Sequence, residues 1–308
     1  MTTNAIQSSH IYSTFFNDTA TTEIYTLGMQ IAQLYLSPFD QIIGFIGEAG
    51  SGKSVLIKGM FPGIELTNDD DGVNVRPLPL LEQEYETGFF TPHTYHLDIR
   101  FETGFHQLSE LADAVRLAVR RGKRIIIEHF DLIYPLLGVN ANLLIGVGEQ
   151  IVITRPNLFG PLPQELCDIV YPSLAYRLMA HSAEDLCEYA MTQEQMLACS
   201  HGDIRHGFVL EFNEHQPDID IPTLEARVNE LIRQDLPIDY YDESHILLGG
   251  AQHYCTGPRT HVRSTGRIIG FRLLDHFIYD HFHKTYMLVG CVGDDSEENI
   301  RKLETIHG

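Results

Sequence analysis

The 308-residue sequence predicts an α/β domain with a doubly wound, mainly parallel sheet, followed by a second domain of α+β class. Apolar runs alternate with amphipathic stretches up to about residue 160, as strands and helices do along a parallel sheet. A glycine-rich segment directly follows the first of these apolar runs. Prolines in residues 159–168 then mark the start of material with a different pattern. We therefore predict one domain over residues 1–160 and another over residues 161–308.

Composition limits the classes of function. Apolar residues make up 44% of the chain and charged residues 20%, which is ordinary for a globular protein. The 42 acidic residues outnumber the 21 Lys and Arg residues, giving a net charge of −21. Such a surface repels phosphate backbones and argues against avid, non-specific nucleic-acid binding. A nucleic-acid partner would need a local basic patch or would dock transiently.

The sequence predicts a cytoplasmic protein with no membrane partner. No apolar run approaches the roughly 18 residues that a membrane span needs. The first ten residues lack the basic start and apolar core of a secretory signal. The five cysteines are odd in number and scattered, which is typical of reduced thiols.

Residues 15–27, FFNDTATTEIYTL, resemble a translated sequencing-adapter fragment. If they are such a fragment they carry no evolved information, so we assign them no role. Residues 28–40 are predicted to form a helix, because apolar side chains recur at helical spacing until Pro38 ends the pattern.

The glycine-rich segment predicts a phosphate-binding loop. The apolar run 42–46 leads into GEAGSGKS (47–54), which fits G-x-x-x-x-G-K-[ST] at every fixed position. Glycines let backbone N–H groups surround a phosphate, while the lysine neutralises its oxygens and the serine hydroxyl contacts Mg²⁺. A helix that begins at residue 55 would add the partial positive charge of its N-terminus to the same phosphate site. The predicted ligands of ATP and Mg²⁺ are Gly47, Gly50, Ser51, Gly52, Lys53 and Ser54.

Two later strands place acids near this loop. Residues 93–100 are predicted as a strand with Asp98 near its end, and residues 124–130 as a buried strand that ends in Glu128. One acid would be the metal's partner and the other would position the attacking water, so Lys53, Asp98 and Glu128 are the catalytic candidates.

The remaining elements complete the α/β pattern. Residues 106–122 are an amphipathic helix, and residues 150–155 are the next strand. Asp69–Asp71 form either a solvated turn or a switch-like loop beside the γ-phosphate.

GEAGSGKS, YHLDIR and IIIEH, in that order, resemble the TsaE-type ATPase of tRNA threonylcarbamoyladenosine synthesis. The resemblance covers residues 28–155 and implies ATP hydrolysis in work on or around tRNA. The sequence departs from the family at two positions: Ile99 stands where tyrosine or leucine is usual, and His129 stands where the family has tryptophan.

The second domain brings a different set of side chains. Residues 171–191 are predicted as a long helix that carries His181 and Asp185 four residues apart, on one face. Strands are predicted at 206–212 and 286–292 and a helix at 224–235, and the segment 253–273 holds Cys255 and His261.

HSAEDLCEYAM and CTGPRTHVRSTGRIIGFRL resemble the two motifs of the "second additional domain" of threonyl- and alanyl-tRNA synthetases. The resemblance implies an editing site in which His181, Asp185, Cys255 and His261 converge on Zn²⁺ or a catalytic water. Here Asp185 replaces the family's second histidine, and five residues separate Cys255 from His261 instead of three. The set still suits tetrahedral zinc, and Asp185 could instead serve as a general base.

Three interpretations of this site stay open: an active metal site, a metal site without hydrolysis, and a pocket without metal. His276, His281 and His283 match nothing in the family pattern and are predicted to lie in a polar hairpin between two strands.

The main functional hypothesis is an ATP-hydrolysing protein with an editing-like domain that acts on tRNA or an aminoacyl group. The alternative is a small-molecule kinase whose second domain senses a ligand. In that case Asp98 or Glu128 would be the base, and Arg121 or Arg124 would steady the phosphoryl group. A nucleotide-dependent scaffold is the third hypothesis.

Overall fold

The computed structural model describes residues 13–17, 21–64, 66, 94–213, 215–255 and 257–307, so Asp69–Asp71 lie outside the described residues. The chain divides into two compact units, the first extending to Ser173 and the second beginning at Leu174. The division falls inside the helix Pro163–Ala190, whereas the sequence predicted a boundary at residue 160.

The first unit is built on a six-stranded sheet with the order β1-β6-β5-β2-β4-β3. Its strands are β1 (Ser13–Phe16), β2 (Ile42–Ile46), β3 (Thr94–Asp98), β4 (Arg124–Glu128), β5 (Leu143–Val147) and β6 (Gln150–Thr154). The four strands β5, β2, β4 and β3 pair in parallel, while β6 and β1 are added antiparallel at one edge. The predicted α/β class with a mainly parallel sheet is therefore confirmed.

Helices cover both faces of this sheet. They are α1 (Thr21–Tyr35), α2 (Lys53–Met60), α3 (Ile99–Glu102), α4 (Leu108–Arg120), α5 (Phe130–Leu137) and α6 (Pro163–Ala190). Because side chains alternate along a strand, Ile43 and Phe45 of β2 pack against α1 and α2. Ile42 and Ile46 point the other way, into the core formed with α4, α5 and the start of α6.

The strand β5 was missed by the sequence prediction, and β6 runs antiparallel to it. Only Gly148 and Glu149 separate the two strands, and Gly148 N donates to the carbonyl of Gln150 at 3.0 Å. A connection this short can only make a hairpin, since a parallel crossover needs a dozen or more residues. The sequence signal for this hairpin is that no helix-length segment separates the two apolar runs.

Residues 15–27, which were given no role, contribute to β1 and α1. The strand β1 pairs with β6, and Asn17 Nδ2 donates to the carbonyls of Ser51 and Gly148 at 2.9 and 2.7 Å. The helix predicted at 28–40 begins earlier, at Thr21, and ends at Tyr35.

The second unit combines helices with antiparallel strands. Its strands are β7 (Cys199–Ile204), β8 (Gly207–Asn213), β9 (Ile238–Asp242), β10 (His245–Leu248), β11 (Ala251–Tyr254), β12 (Arg272–Leu273), β13 (Ile278–Asp280) and β14 (Thr285–Cys291). One sheet has the order β12-β14-β8-β7 with β13 paired to β14, and the other has the order β11-β10-β9. The helices that follow α6 are α7 (Gln193–Ala198), α8 (Ile221–Arg233) and α9 (Ser296–His307).

The strands predicted at 206–212 and 286–292 correspond to β8 and β14, and the helix predicted at 224–235 corresponds to α8. The strand β7 and the small sheet of β9, β10 and β11 were not predicted. His281 and His283 lie between β13 and β14, and His276 precedes β13. Within the described parts of the chain, none of the helices has the length and apolar character that crossing a bilayer requires.

Candidate functional site

The glycine-rich loop, residues 47–54, joins β2 to α2 and requires glycine at several positions. Gly50 and Gly52 have φ of 80° and 89°, a region that side chains rarely adopt. A Cβ atom on Gly47 would lie 2.5 Å from the carbonyl oxygen of Val147. The loop's tight course beside the sheet therefore depends on these glycines.

Lys53 lies inside the loop rather than in solvent. Its Nζ donates to the carbonyls of Gly47 and Glu48, both at 2.9 Å, and lies 3.8 Å from Glu128 Oε2. Burial lowers the pKa of Lys53, and the charges of Glu128 and Asp98 oppose that shift. The loop thus presents a buried amine held between backbone carbonyls and a carboxylate.

Glu128 is the point where several predicted site residues meet. It ends β4, beside β2, so its carboxylate lies at the carboxyl edge of the sheet. The Ser54 hydroxyl donates to its Oε1 at 3.4 Å, and His96 Nε2 lies 3.1 Å from the same oxygen. Burial favours the neutral acid, yet the His96 hydrogen bond and the Lys53 charge hold the pKa of Glu128 below its usual value.

Asp98 lies directly across from Glu128 in the register of β3 and β4. Its Oδ1 accepts a hydrogen bond from Phe101 N at 3.1 Å, so it caps the short helix α3. Burial, followed by repulsion from Glu128, raises the pKa of Asp98. Two adjacent carboxyl groups with pKa values pushed apart are typical of sites that divide acid and base roles.

His129 is a site residue to which the sequence assigned no role. It follows β4 with φ of 56°, which is uncommon for a residue other than glycine. Its Nδ1 is buried and makes no hydrogen bond to any described residue. Burial and the charges of Lys53 and Arg100 lower its pKa to about 4. Potential ligand atoms of Asp98, Glu128 and His129 lie within 4.8 Å of one another.

The arginine at this site is Arg100 rather than Arg121 or Arg124. Arg100 makes two hydrogen bonds to the Glu48 carboxylate, at 2.9 and 3.1 Å. Arg124 opens β4, at the opposite end from Glu128, and donates to the carbonyls of Ser37 and Asp40. Since that end of the strand is remote from the loop, Arg124 is not placed to steady a phosphoryl group there.

The second unit brings His181, Asp185, Cys255 and His261 together, and we call them the four-residue cluster. Their potential ligand atoms all lie within 4.8 Å of one another. His181 Nε2 is 3.2 Å from Cys255 Sγ, which is 3.7 Å from His261 Nε2. His261 Nε2 is also 2.7 Å from Asp185 Oδ2. The helix α6 supplies the first two residues and the segment after β11 supplies the others.

Further hydrogen bonds hold this arrangement in place. Val262 N donates to Ser182 Oγ at 3.0 Å, which attaches the Cys255–His261 segment to α6. Thr260 N donates to the carbonyl of Gly257 at 2.9 Å, so the segment turns between Gly257 and Thr260. His181 Nδ1 lies 3.2 Å from Glu184 Oε2, the carboxylate contact that commonly orients a metal-binding histidine.

The pKa shifts in the four-residue cluster keep the His181 imidazole neutral, the form that binds a cation. Burial and the neighbouring His261 lower the pKa of His181 to about 3. Burial opposes ionisation of Asp185, but His181 and His261 hold its pKa at about 2. Burial and the Asp185 charge raise the pKa of Cys255, so its thiol keeps its proton until a cation displaces it.

The donor set and spacing fit zinc. One sulfur, two imidazole nitrogens and one carboxylate are all ligands of Zn²⁺. Around a tetrahedral zinc the ligand atoms lie roughly 3.3–3.6 Å apart, given the usual bond lengths. The separations of Cys255 Sγ from His181 and His261 already approach this spacing. The Asp185–His261 hydrogen bond is shorter and would have to open.

Among known proteins, no protein-family model matches the sequence and no curated protein shows a significant match. The functional assignment therefore depends on the chemistry of these two sites.

Proposed function

We propose that the first unit binds Mg²⁺–ATP in the glycine-rich loop and hydrolyses it. The observation that supports this most is the meeting of Lys53 and Ser54 at the Glu128 carboxylate. These are the two side chains that a phosphate-binding loop contributes to the outer phosphates and the metal. A bound Mg²⁺–ATP would supply the electrophilic γ-phosphoryl group.

The chain's own residues then have distinct roles. Lys53 Nζ would exchange the carbonyls of Gly47 and Glu48 for phosphate oxygens. Glu128, with its lowered pKa, stays ionised and would accept hydrogen bonds from water beside a bound Mg²⁺. Asp98 takes the proton of the attacking water, since its raised pKa makes it the better proton acceptor of the two carboxylates.

The test is nucleotide binding and phosphate release by the full-length protein. Lys53→Ala removes a charge-assisted contact and should weaken ATP binding by about 10- to 100-fold. Ser54→Ala keeps the lysine and should mainly reduce the dependence on Mg²⁺. Lys58→Ala, at the far end of the same helix, is the matched control and should leave binding unchanged. Absence of ATP binding by the parent protein would refute the proposal.

Asp98 also supports the kinase alternative, because a base so placed can deprotonate a substrate hydroxyl as well as water. ATP that is bound but not hydrolysed would favour this alternative. The discriminating measurement is ATP consumption with and without a panel of small-molecule alcohols and nucleosides, together with detection of the phosphorylated product.

For the second unit, we propose one zinc ion held by the four-residue cluster and action on an aminoacyl-type ester. The convergence of four suitable donors on one point supports the zinc, and the resemblance to synthetase editing domains suggests the substrate class. Zinc bound by His181, Cys255 and His261 would activate water for attack on an ester, with Asp185 as the general base, whereas Asp185 as a fourth ligand would close the site to water.

Elemental analysis and deacylation assays test this second proposal separately. The parent should contain about one zinc in this cluster, the content of a single four-ligand site. Asp185→Ala and Cys255→Ala should lose it, whereas Cys291→Ala, at another buried thiol of the unit, should retain it. Zinc without hydrolysis of charged tRNAs or aminoacyl esters would leave a binding module. A parent whose metal content is unaffected by both cluster variants would refute the zinc site.

A further inference from the structure

A second group of metal-binding side chains, the neighbouring cluster, lies beside the four-residue cluster and consists of Glu188, Cys199 and His201. Their potential ligand atoms lie within 4.8 Å of one another. His201 Nε2 is 2.5 Å from Glu188 Oε1, and Cys199 Sγ is 3.4 Å from the same oxygen. Cys199 and His201 are two residues apart on β7, so the alternation of a strand places both on one face.

His253 of β11 adds an independent indication of a ligand. It is buried, with 8% of its surface exposed, and its Nε2 makes no hydrogen bond within the described part of the chain. This nitrogen lies 3.7 Å from Glu188 Oε2, too far for a hydrogen bond. Its contact is therefore an ion pair with Glu188 and not a hydrogen bond, and the ring nitrogen remains available to a cation bound beside that carboxylate.

One carboxylate holds the neighbouring cluster together. Glu188 faces His201, the Cys199 thiol and His253, and the thiol also donates to the carbonyl of Met196 at 3.2 Å. The combination of sulfur, nitrogen and oxygen donors selects zinc-class ions over Mg²⁺ or Ca²⁺, which prefer oxygen ligands. His201 is one-third exposed, so solvent and an entering ion can reach the group.

We propose that Glu188, Cys199 and His201 bind a second divalent transition-metal ion of the zinc class, with His253 beside it. On binding, the ion displaces the thiol proton of Cys199, and His201 binds as the neutral imidazole, so protons are released to solvent. Three protein ligands leave a fourth position for water. Asp185 lies within 4.8 Å of both Glu188 and His253, so it adjoins both metal positions.

Two measurements on the full-length protein test this site. The first is zinc content by elemental analysis, where the parent should hold about two ions per chain. Cys199→Ser and His201→Gln should each hold about one fewer. The second is titration with Co²⁺, in which each thiolate ligand contributes its own charge-transfer absorption. Cys199→Ser should remove one part of that absorption, and Cys255→Ser should remove the other.

His283→Gln is the matched control, because His283 is an exposed histidine 2.6 Å from the single carboxylate of Asp280 and belongs to no candidate metal group of the described residues. It should keep the full metal content. His201→Gln changes a partly exposed residue on a strand, so it checks the result independently of Cys199→Ser. Far-ultraviolet circular dichroism establishes that each variant is folded.

The outcomes separate this proposal from the zinc site of the four-residue cluster. A single ion that survives Cys199→Ser but not Cys255→Ser would overturn the second site alone. A single ion lost in Cys199→Ser but kept in Cys255→Ser would support the second site and refute the first. Full metal content in both Cys199→Ser and His201→Gln would also overturn the proposal, as would a parent that binds no metal.

Discussion

The two candidate sites differ in what balances their buried charges. At the glycine-rich loop each carboxylate has a lysine or arginine beside it: Glu128 lies 3.8 Å from Lys53 as well as 3.1 Å from His96, and the more exposed Glu48 pairs with Arg100. In the second unit the acids of α6 face histidines instead. Glu184 pairs with His181, Asp185 with His261, and Glu188 with His201.

This difference predicts how each site responds to its surroundings. Arginine keeps its charge across the accessible pH range, and the charges of Glu128 and Asp98 favour the protonated form of Lys53 against the effect of burial, so the loop site is balanced by the chain itself. The charge of a histidine depends on its surroundings: burial lowers the pKa of His181 to about 3, whereas the Glu188 hydrogen bond raises the pKa of His201 to about 9. His181 is therefore neutral and His201 can give up its proton to a bound cation, so we expect the second unit to respond to chelators and the first unit to be indifferent to them.

The largest expected effect comes from metal removal. A ligand at roughly a thousand times its Kd stabilises the folded state by about 4 kcal/mol, so stripping zinc should destabilise the second unit by about that amount. The first unit should not change. Hydrogen exchange read peptide by peptide, with and without chelator, distinguishes the two units. Equal loss of protection in both units, or in neither, would contradict the comparison.

A smaller loss is expected from Glu128→Gln in the first unit. The amide keeps the shape of the side chain but leaves the Lys53 amine and the His96 ring without their carboxylate. Breaking a buried pair in this way costs about 3 kcal/mol. Denaturant unfolding, monitored by hydrogen exchange of the strand peptides, should show the loss of stability only in the first unit. Glu165→Gln, on the same unit but away from the loop, is the control.

Ser182→Ala should destabilise the second unit by about 2 kcal/mol, because Val262 N would be left buried without an acceptor. It should also lower zinc affinity, since this bond holds the segment that carries Cys255 and His261. The readout is a zinc competition titration. Unchanged affinity with lowered stability would mean that the segment is positioned by other contacts.

The smallest effect is expected at His129. Replacing this left-handed residue by glycine relieves strain but also deletes a buried side chain, so the stability of the first unit at neutral pH should change by no more than about 1 kcal/mol. The pKa of His129 is about 4 in the folded protein and 6.5 ordinarily, so the unfolded state binds the proton first as the pH falls. The free energy of unfolding of the parent is therefore highest above pH 6.5 and decreases as the pH falls towards 4. The stability of His129→Gly relative to that of the parent should therefore increase in acid. A constant difference would mean that His129 is exposed to solvent.

Some of these features follow from local sequence and some do not. The apolar run, the glycines and Lys53–Ser54 are one continuous stretch, so their spacing alone predicted strand, loop and helix. The strand β5 was missed although its two-residue connection to β6 is a local signal for a hairpin. Which strands lie side by side in a sheet is a separate question, and local spacing does not specify it. The same limitation explains the missed β7 and the missed sheet of β9, β10 and β11.

The sequence by itself determined the glycine-rich loop and the placement of His181 and Asp185 on one helical face, because both depend on neighbours within a few residues. The tertiary structure alone decided that Glu128 contacts Lys53 and Ser54 while Asp98 caps a helix, since strand order and register control that choice. It also decided that Glu188 meets Cys199 and His201. These side chains come from different elements, and only packing brings a helix and a strand to the same point.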